Sequence, residues 1–336
     1  FFKQKTAYEM KKKISLRLSS RSRARLRRQT EKGIKGFVKA IFLIGFCFVI
    51  LYPVLTMISK SFMARGDIFD NTVILVPKNF TLQNFEIAMM LTDFWNALGN
   101  TLALSAIVTL LETASCLLVS YGMARFQFKL KGLFLAMVVF TIIVPPQLIM
   151  TPMYVQFRNY DPLGLMTLIF GGSLNLIDTF TPFTMLAATC MGVKNGLFIL
   201  IFFQFFRNMP KEFEEAAFID GAGSLQTFFR IMLPNAKTSI VTVILFGFLW
   251  QYNDMNYTTA FLQNKPVFSG VYYNLERFTL EVYQMLGTTQ YDMTMNMYVP
   301  LVKSAGMLLI LTPLLLLFLF CQRFFVESIE RVGIVG

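Results

Sequence analysis

Along this chain the apolar residues gather into six long runs, at about 37–58, 97–119, 133–157, 184–206, 239–256 and 299–321. A bilayer core ~30 Å thick is crossed by about 20 residues of helix. A helix can do so because it satisfies its backbone N–H and C=O groups internally. The pattern therefore predicts an all-α, polytopic membrane protein with six transmembrane helices. The polar positions form the connections, the longer ones being 59–96, 207–238 and 257–298.

The connection 207–238 has helical spacing of its own. Pro210 suits a first turn, and Glu212, Glu214 and Glu215 follow where carboxylates complement the helix dipole. Phe213, Ala216 and Ala217 recur at i, i+3 and i+4, and Gly221 and Gly223 end the pattern. Ser224 is placed to cap a second helix, in which Leu225, Phe228, Phe229 and Met232 fall at i, i+3, i+4 and i+7 before Pro234 closes it. Two short helices joined by a glycine hinge are expected. The small Ala-Ala face admits close approach by another protein; an amphipathic pair lying on the membrane surface satisfies the same spacing.

Charge gives the runs an orientation. Residues 1–36 carry Lys3, Lys5, Lys11 to Lys13, Arg17, Arg21, Arg23, Arg25, Arg27, Arg28, Lys32 and Lys35 against only Glu9 and Glu31, which is most of the net +12. A basic segment ahead of a first span is retained in the cytoplasm, and it suits contact with anionic headgroups. No aromatic interleaves with the arginines, so nucleic acid is not indicated. Six spans return the C-terminus to the cytoplasm, on the side of Arg125, Lys129, Lys131, Arg207, Lys211, Arg230, Lys237, Arg323 and Arg331. Three parts are expected: a basic cytoplasmic extension (1–36), a transmembrane domain (37–326) containing the cytoplasmic loop 207–238, and a cytoplasmic tail (327–336).

Composition narrows the chemistry. The chain is 55% hydrophobic and 15% charged and has no His, which removes the commonest metal ligand and general base together. No phosphate-cradling G-x-x-x-x-G-K-[ST] and no G-x-S-x-G elbow occurs. Cys47, Cys116, Cys190 and Cys321 sit at irregular spacing in apolar runs, so neither a disulfide frame nor a metal site is expected. No enzyme chemistry is indicated. Energy for uphill movement must come from an ion gradient or from another subunit.

Polar groups at membrane depth are candidates for a solute pathway. They are Glu112, Gln147 beside Pro145-Pro146, Lys194, and the cluster Trp250, Tyr252, Asn253 and Asp254. Glu112 and Lys194 are expected to face the interior, with a pair between them as one arrangement. GVKNG (192–196) reads equally as a break that starts the fourth span later. Pro145, Pro146, Pro152 and Pro313 predict kinks. An interfacial aromatic belt accounts for residues 250–257 as well as a sugar-facing strip does.

The pattern E-A-A, three residues, G, nine residues, I-x-L-P, carried by Glu215, Ala216, Ala217, Gly221, Ile231, Leu233 and Pro234, resembles the signature of the membrane subunits of bacterial ABC importers. NFTLQNF (79–85), SYGMARFQFK (120–129), EEAAFIDGAG (214–223) and QRFFVESI (322–329) are similar to the MalG-like carbohydrate permeases. The resemblance covers roughly 75–330, and departs in the basic extension, in Ser328 where Gly is usual, and in Trp-Gln-Tyr-Asn-Asp where Trp-Asn-Asp is commoner. It implies a type I ABC importer permease fold in the bacterial plasma membrane, with Glu214, Glu215, Ala216, Ala217, Asp220, Gly221, Gly223, Leu233 and Pro234 in a coupling helix and its surroundings. It further implies a second related permease, two cytoplasmic ATP-binding subunits that hold ATP and Mg, an external solute-binding protein, and an oligosaccharide as cargo. From the residues alone, a gradient-driven secondary transporter or channel is the alternative.

Overall fold

The computed structural model describes residues 2–192, 194–268, 275–287 and 293–333. In chain order its helices are α1 (Phe2–Ser61), α2 (Gln83–Leu91), α3 (Phe94–Arg125), α4 (Lys131–Ile143), α5 (Pro146–Arg158), α6 (Leu165–Phe170) and α7 (Thr181–Ala188). After a break come α8 (Asn195–Asn208), α9 (Glu212–Ile219), α10 (Ser224–Asn235), α11 (Lys237–Tyr252), α12 (Asn256–Phe261), α13 (Leu275–Met285) and α14 (Met293–Gly333). Among the described residues the extended pairings are the isolated bridges Met63–Phe80 and Tyr160–Leu174. The first of these is supported by Asp67, whose carboxylate accepts from the Asn79 backbone N–H (2.8 Å) and side-chain amide (2.7 Å). Those bonds, the backbone one foremost, hold the Asp67 carboxyl below its ordinary range. The lipid contact expected of the basic segment falls, up to residue 31, on side chains outside the described ones, as does the placement of Arg323 and Arg331; Lys32 and Lys35 are exposed.

Run length predicts six spans, and the structure shows where the runs bend and break. Among the described residues, three helices are long and apolar enough to cross a bilayer unbroken, within 32–61 of α1, along α3, and at Met297–Gln322 of α14; there are up to five if each of two bent pairs counts as one span. The third run is split into α4 and α5, which meet at 98°. Proline is the cause: it lacks an N–H and drives the preceding residue out of helical geometry, and Val144 and Pro145 are extended at ψ 122° and 130°. Pro152, Pro300 and Pro313 lie inside continuous helices. The fifth run is α11, whose 16 residues rise ~24 Å, bent by 74° from α10.

The fourth run is interrupted between α7 and α8 for a different reason. The Met191 N–H donates to the Leu186 carbonyl (2.8 Å) and the Cys190 N–H to that of Ala187 (3.3 Å). This is the Schellman closure of a helix, which needs a left-handed residue after the cap. Cys190 occupies that position at φ +62°, a conformation costing a non-glycine residue about 1–2 kcal/mol. Of the two readings of GVKNG, the break is the one realised.

Inside a bilayer there is little hydrophobic drive between helices, so close packing and polar contacts hold them together. Helix α3 is the centre, lying against α7, α8 and α11, while α14 lies against α1, α2 and α11. Phe198, Phe202 and Phe206, one turn apart on α8, are wholly buried against Cys116, Leu117 and Tyr121 of α3. Ser115 and Ser120 of α3 donate to the carbonyls of Ala187 (2.6 Å) and Ile199 (2.9 Å), stitching α3 to both sides of the break. Gly196 lets α8 approach α4 closely, since a Cβ there would sit 3.0 Å from the Val138 carbonyl oxygen. By contrast Ile34, Phe37, Ile41, Phe42 and Ile44 of α1 are exposed, which suits a lipid-facing helix.

Candidate functional site

A cavity of about 490 Å³ opens where α3, α7, α8 and the end of α11 converge. It is lined by Glu112, Lys194, Trp250, Asn253 and Asp254 of the predicted set, together with Gln251, Asn256 and Tyr257. Glu112 is buried near the middle of α3. When the Asn195 amide is oriented to satisfy both its neighbours, its nitrogen donates to Glu112 Oε1 and its oxygen accepts from the Gly192 N–H (3.2 Å). The break between α7 and α8 thus supplies the partner of this carboxyl. Lys194 instead lies with Nζ 5.1 Å from the centre of the Trp250 ring, a cation–π contact, so the suggested Glu112–Lys194 pair is not formed. Trp250 also stacks on Phe198 at 5.4 Å.

Two predicted pathway residues lie elsewhere. Tyr252 is buried away from the cavity and donates to the Ile310 carbonyl of α14 at 2.7 Å. Gln147 is exposed on α5, and its neighbour Pro146 takes the place on the wall. Helical phase explains the first case, because α11 continues to Tyr252 and only then turns, carrying Asn253 and Asp254 back toward the opening. Asp254 also braces the turn into α12, accepting from the N–H (2.8 Å) and hydroxyl (2.9 Å) of Thr258. Gln251, within the same cluster but outside the predicted set, also lines the cavity. Its Nε2 is buried with no hydrogen-bond partner among the described residues, the condition of a donor left for a ligand or a water.

The second cluster of interest is the connection 207–238. Helix α9 buries Glu214 and Ala217 and exposes Phe213, Glu215, Ala216, Phe218 and Ile219. Of the face formed by Phe213, Ala216 and Ala217, the first two are exposed and Ala217 is buried. In α10 the apolar positions also divide, with Phe228 and Met232 buried and Leu225 and Phe229 exposed. Ser224 does not act as the cap. Gly223, extended at φ −75° and ψ 166°, is the residue before the first helical one, and no side chain bonds there. The hinge takes the same form as the end of α7: the Ala222 N–H donates to Ala217 (2.9 Å), the Gly221 N–H to Phe218 (3.1 Å), and Gly221 stands at φ +81°. Ile231 and Leu233 are half-buried, and Pro234 is exposed one residue before the end of α10. Asp220 is the exposed C-cap of α9.

The family described as "Binding-protein-dependent transport system inner membrane component" matches residues 116–331. The chain belongs to that family. It is thus the membrane component of a transport system that depends on a binding protein, and a permease rather than an enzyme. A gradient-driven carrier or channel, left open by composition, is not what the family describes. Among its relatives is a probable ABC transporter permease protein, YurM of Bacillus subtilis, 28% identical over 88% of this chain and 87% of that one. AraQ of Halalkalibacterium halodurans, an arabinooligosaccharides transport system permease protein, is 26% identical over 87% of this chain and 95% of that one. A solved bacterial ABC transporter involved in import of the acidic polysaccharide alginate has a chain of the same fold. Its TM-score is 0.63 at 21% identity, over 85% of this chain and 96% of that chain.

Proposed function

We propose that this permease is one half of the translocation path of an ATP-driven carbohydrate importer, with an oligosaccharide as cargo. It pairs with a second related permease, receives solute from an external binding protein, and is driven by two cytoplasmic ATP-binding subunits that carry the ATP and Mg. It sits in the bacterial plasma membrane as six spans, two of them bent or broken, with both termini and 207–238 in the cytoplasm.

The observation that carries this reading is the division of that loop. Phe218, Ile219, Leu225 and Phe229 are exposed around Glu215 and Ala216, while Glu214, Ala217, Phe228 and Met232 anchor the loop to its own spans. An exposed apolar cluster at the rim of a membrane protein suits a partner's cleft. In the cavity, Gln251, Asn253 and Asn256 offer amide groups, and Asp254 and Glu112 offer carboxyls, the functions that bind sugar hydroxyls. The test is purification through a tag on this chain. An ATP-binding subunit should co-purify and cross-link to Ile219→Cys, and the reconstituted complex should hydrolyse ATP faster with binding protein and a cognate oligosaccharide. Stimulation by no sugar in a panel of neutral and acidic oligosaccharides would remove the carbohydrate assignment.

A further inference from the structure

The end of α3 nearest the loop carries two residues that finish on one carboxylate. Tyr121 Oη donates to Glu214 Oε1 at 3.0 Å. Arg125 Nε lies 3.4 Å from Glu214 Oε2, an ion-pair contact rather than a directed hydrogen bond. The other end of the guanidinium donates to the Met209 carbonyl at 2.9 Å, where α8 has just finished. The side chains of Arg125 and Glu214 are only 7% and 12% exposed. Phe126, Phe206 and Phe228 surround the Tyr121 ring at 6.1, 5.4 and 4.8 Å, so the direction of its hydroxyl is fixed by packing. Glu214 therefore ties the first turn of α9 to α3, Arg125 ties the end of α8 to the same place, and Phe228 brings in α10.

A buried ion pair is a weak source of net stability, because desolvation offsets the attraction. What the arrangement does supply is position. Glu214 is the inward member of a pair of adjacent carboxylates whose other member, Glu215, is exposed. The same α3 reaches the cavity at Glu112, nine residues before Tyr121, or ~14 Å along the axis. We infer that Tyr121 and Arg125 are positioning residues that fix α9 to α3 through Glu214. A displacement of the loop then reaches the cavity wall as rigid-body movement of α3 and is not absorbed by the loop. This rests on reading 207–238 as the surface that meets the ATP-binding subunit, and adds to it the path by which movement enters the spans.

The test uses the whole transporter in proteoliposomes with its binding protein, measuring uptake and ATP hydrolysis side by side. Tyr121→Phe keeps the ring and removes the hydroxyl; Arg125→Lys keeps the charge and removes the fork. In both, solute moved per ATP should fall roughly three- to tenfold, while hydrolysis and co-purification of the ATP-binding subunit persist. Tyr121→Phe combined with Glu214→Gln should be no worse than Glu214→Gln alone, since both act on one contact. An unchanged ratio in both single variants, additive losses in the double, or a parallel fall of insertion and both rates overturns the inference. Cross-linking through Ile219→Cys in the same membranes separates it from the reading beneath it. Absence of the cross-link removes the docking reading and the inference together, whereas a cross-link with an unchanged ratio removes the inference alone.

Discussion

Helices α7 and α9 end in the same hydrogen-bonded turn, but one places Cys190 in the left-handed position and the other Gly221. A methyl group added at Gly221 would meet nothing within 4 Å, so the loop's turn is set by local sequence and costs little. At Cys190 the same geometry is strained, and it is held by its surroundings: Sγ lies 3.3 Å from Cys116 Sγ on α3, and Ser115 grips the Ala187 carbonyl at 2.6 Å. The hinge beside the partner surface is relaxed and locally determined. The break beside the cavity is maintained by tertiary contacts.

The comparison is tested most severely in the aromatic core of α8, against which Cys190 of the first turn packs. Phe206→Ala should cost about 3–5 kcal/mol, read as a large fall in thermal stability and in hydrogen-exchange protection along α8. Next, a change confined to the outward face of α9 should spare stability and strike transport. Glu215→Lys is expected to lower uptake on the order of thirtyfold with thermal stability retained, and equal uptake in proteoliposomes would remove α9 from the coupling path. Gly221→Ala puts a side chain into the left-handed position and should cost about 1–2 kcal/mol, with protection lost locally at 218–224 rather than along α8. The smallest effect tests the strained turn. Cys190→Gly relieves about 1–2 kcal/mol but adds about 0.5–1 kcal/mol of chain entropy loss, so a gain of at most about 1.5 kcal/mol is expected, and a loss would show that the Cys116 contact outweighs the strain.

The difference between the two turns also explains what can be read in the sequence. A glycine after an acidic, Ala-rich turn announces the end of α9, as do two adjacent prolines the bend between α4 and α5, because in each case the backbone restriction belongs to the residue itself. Nothing about Cys190 announces a left-handed turn; it acquires one from Cys116 and Ser115, more than 70 positions away in the chain. The same holds in the cavity. Glu112 is identifiable as a carboxyl in an apolar run, but its partner, Asn195, depends on the break, and Lys194 is drawn to Trp250 instead. Within the loop the helical spacing is legible, while the buried face is not. Periodicity says which residues share a face, and Tyr121 and Arg125, on another helix, decide that the face carrying Glu214 turns inward.

Glu214 and Glu215 are chemically alike and adjacent, and only about 100° of helical rotation separates the one held inside from the one presented outside. This makes the loop far more sensitive to length than to composition. Many single substitutions between Pro210 and Glu214 can leave the phase of α9 untouched, but one deleted residue there rotates every later side chain by that angle and brings Glu215 inward in place of Glu214, and one inserted residue turns both carboxylates outward. Variation in this segment across functional descendants of the chain should therefore consist of replacements at constant spacing, with gaps confined to the stretches beyond α10 and before α8.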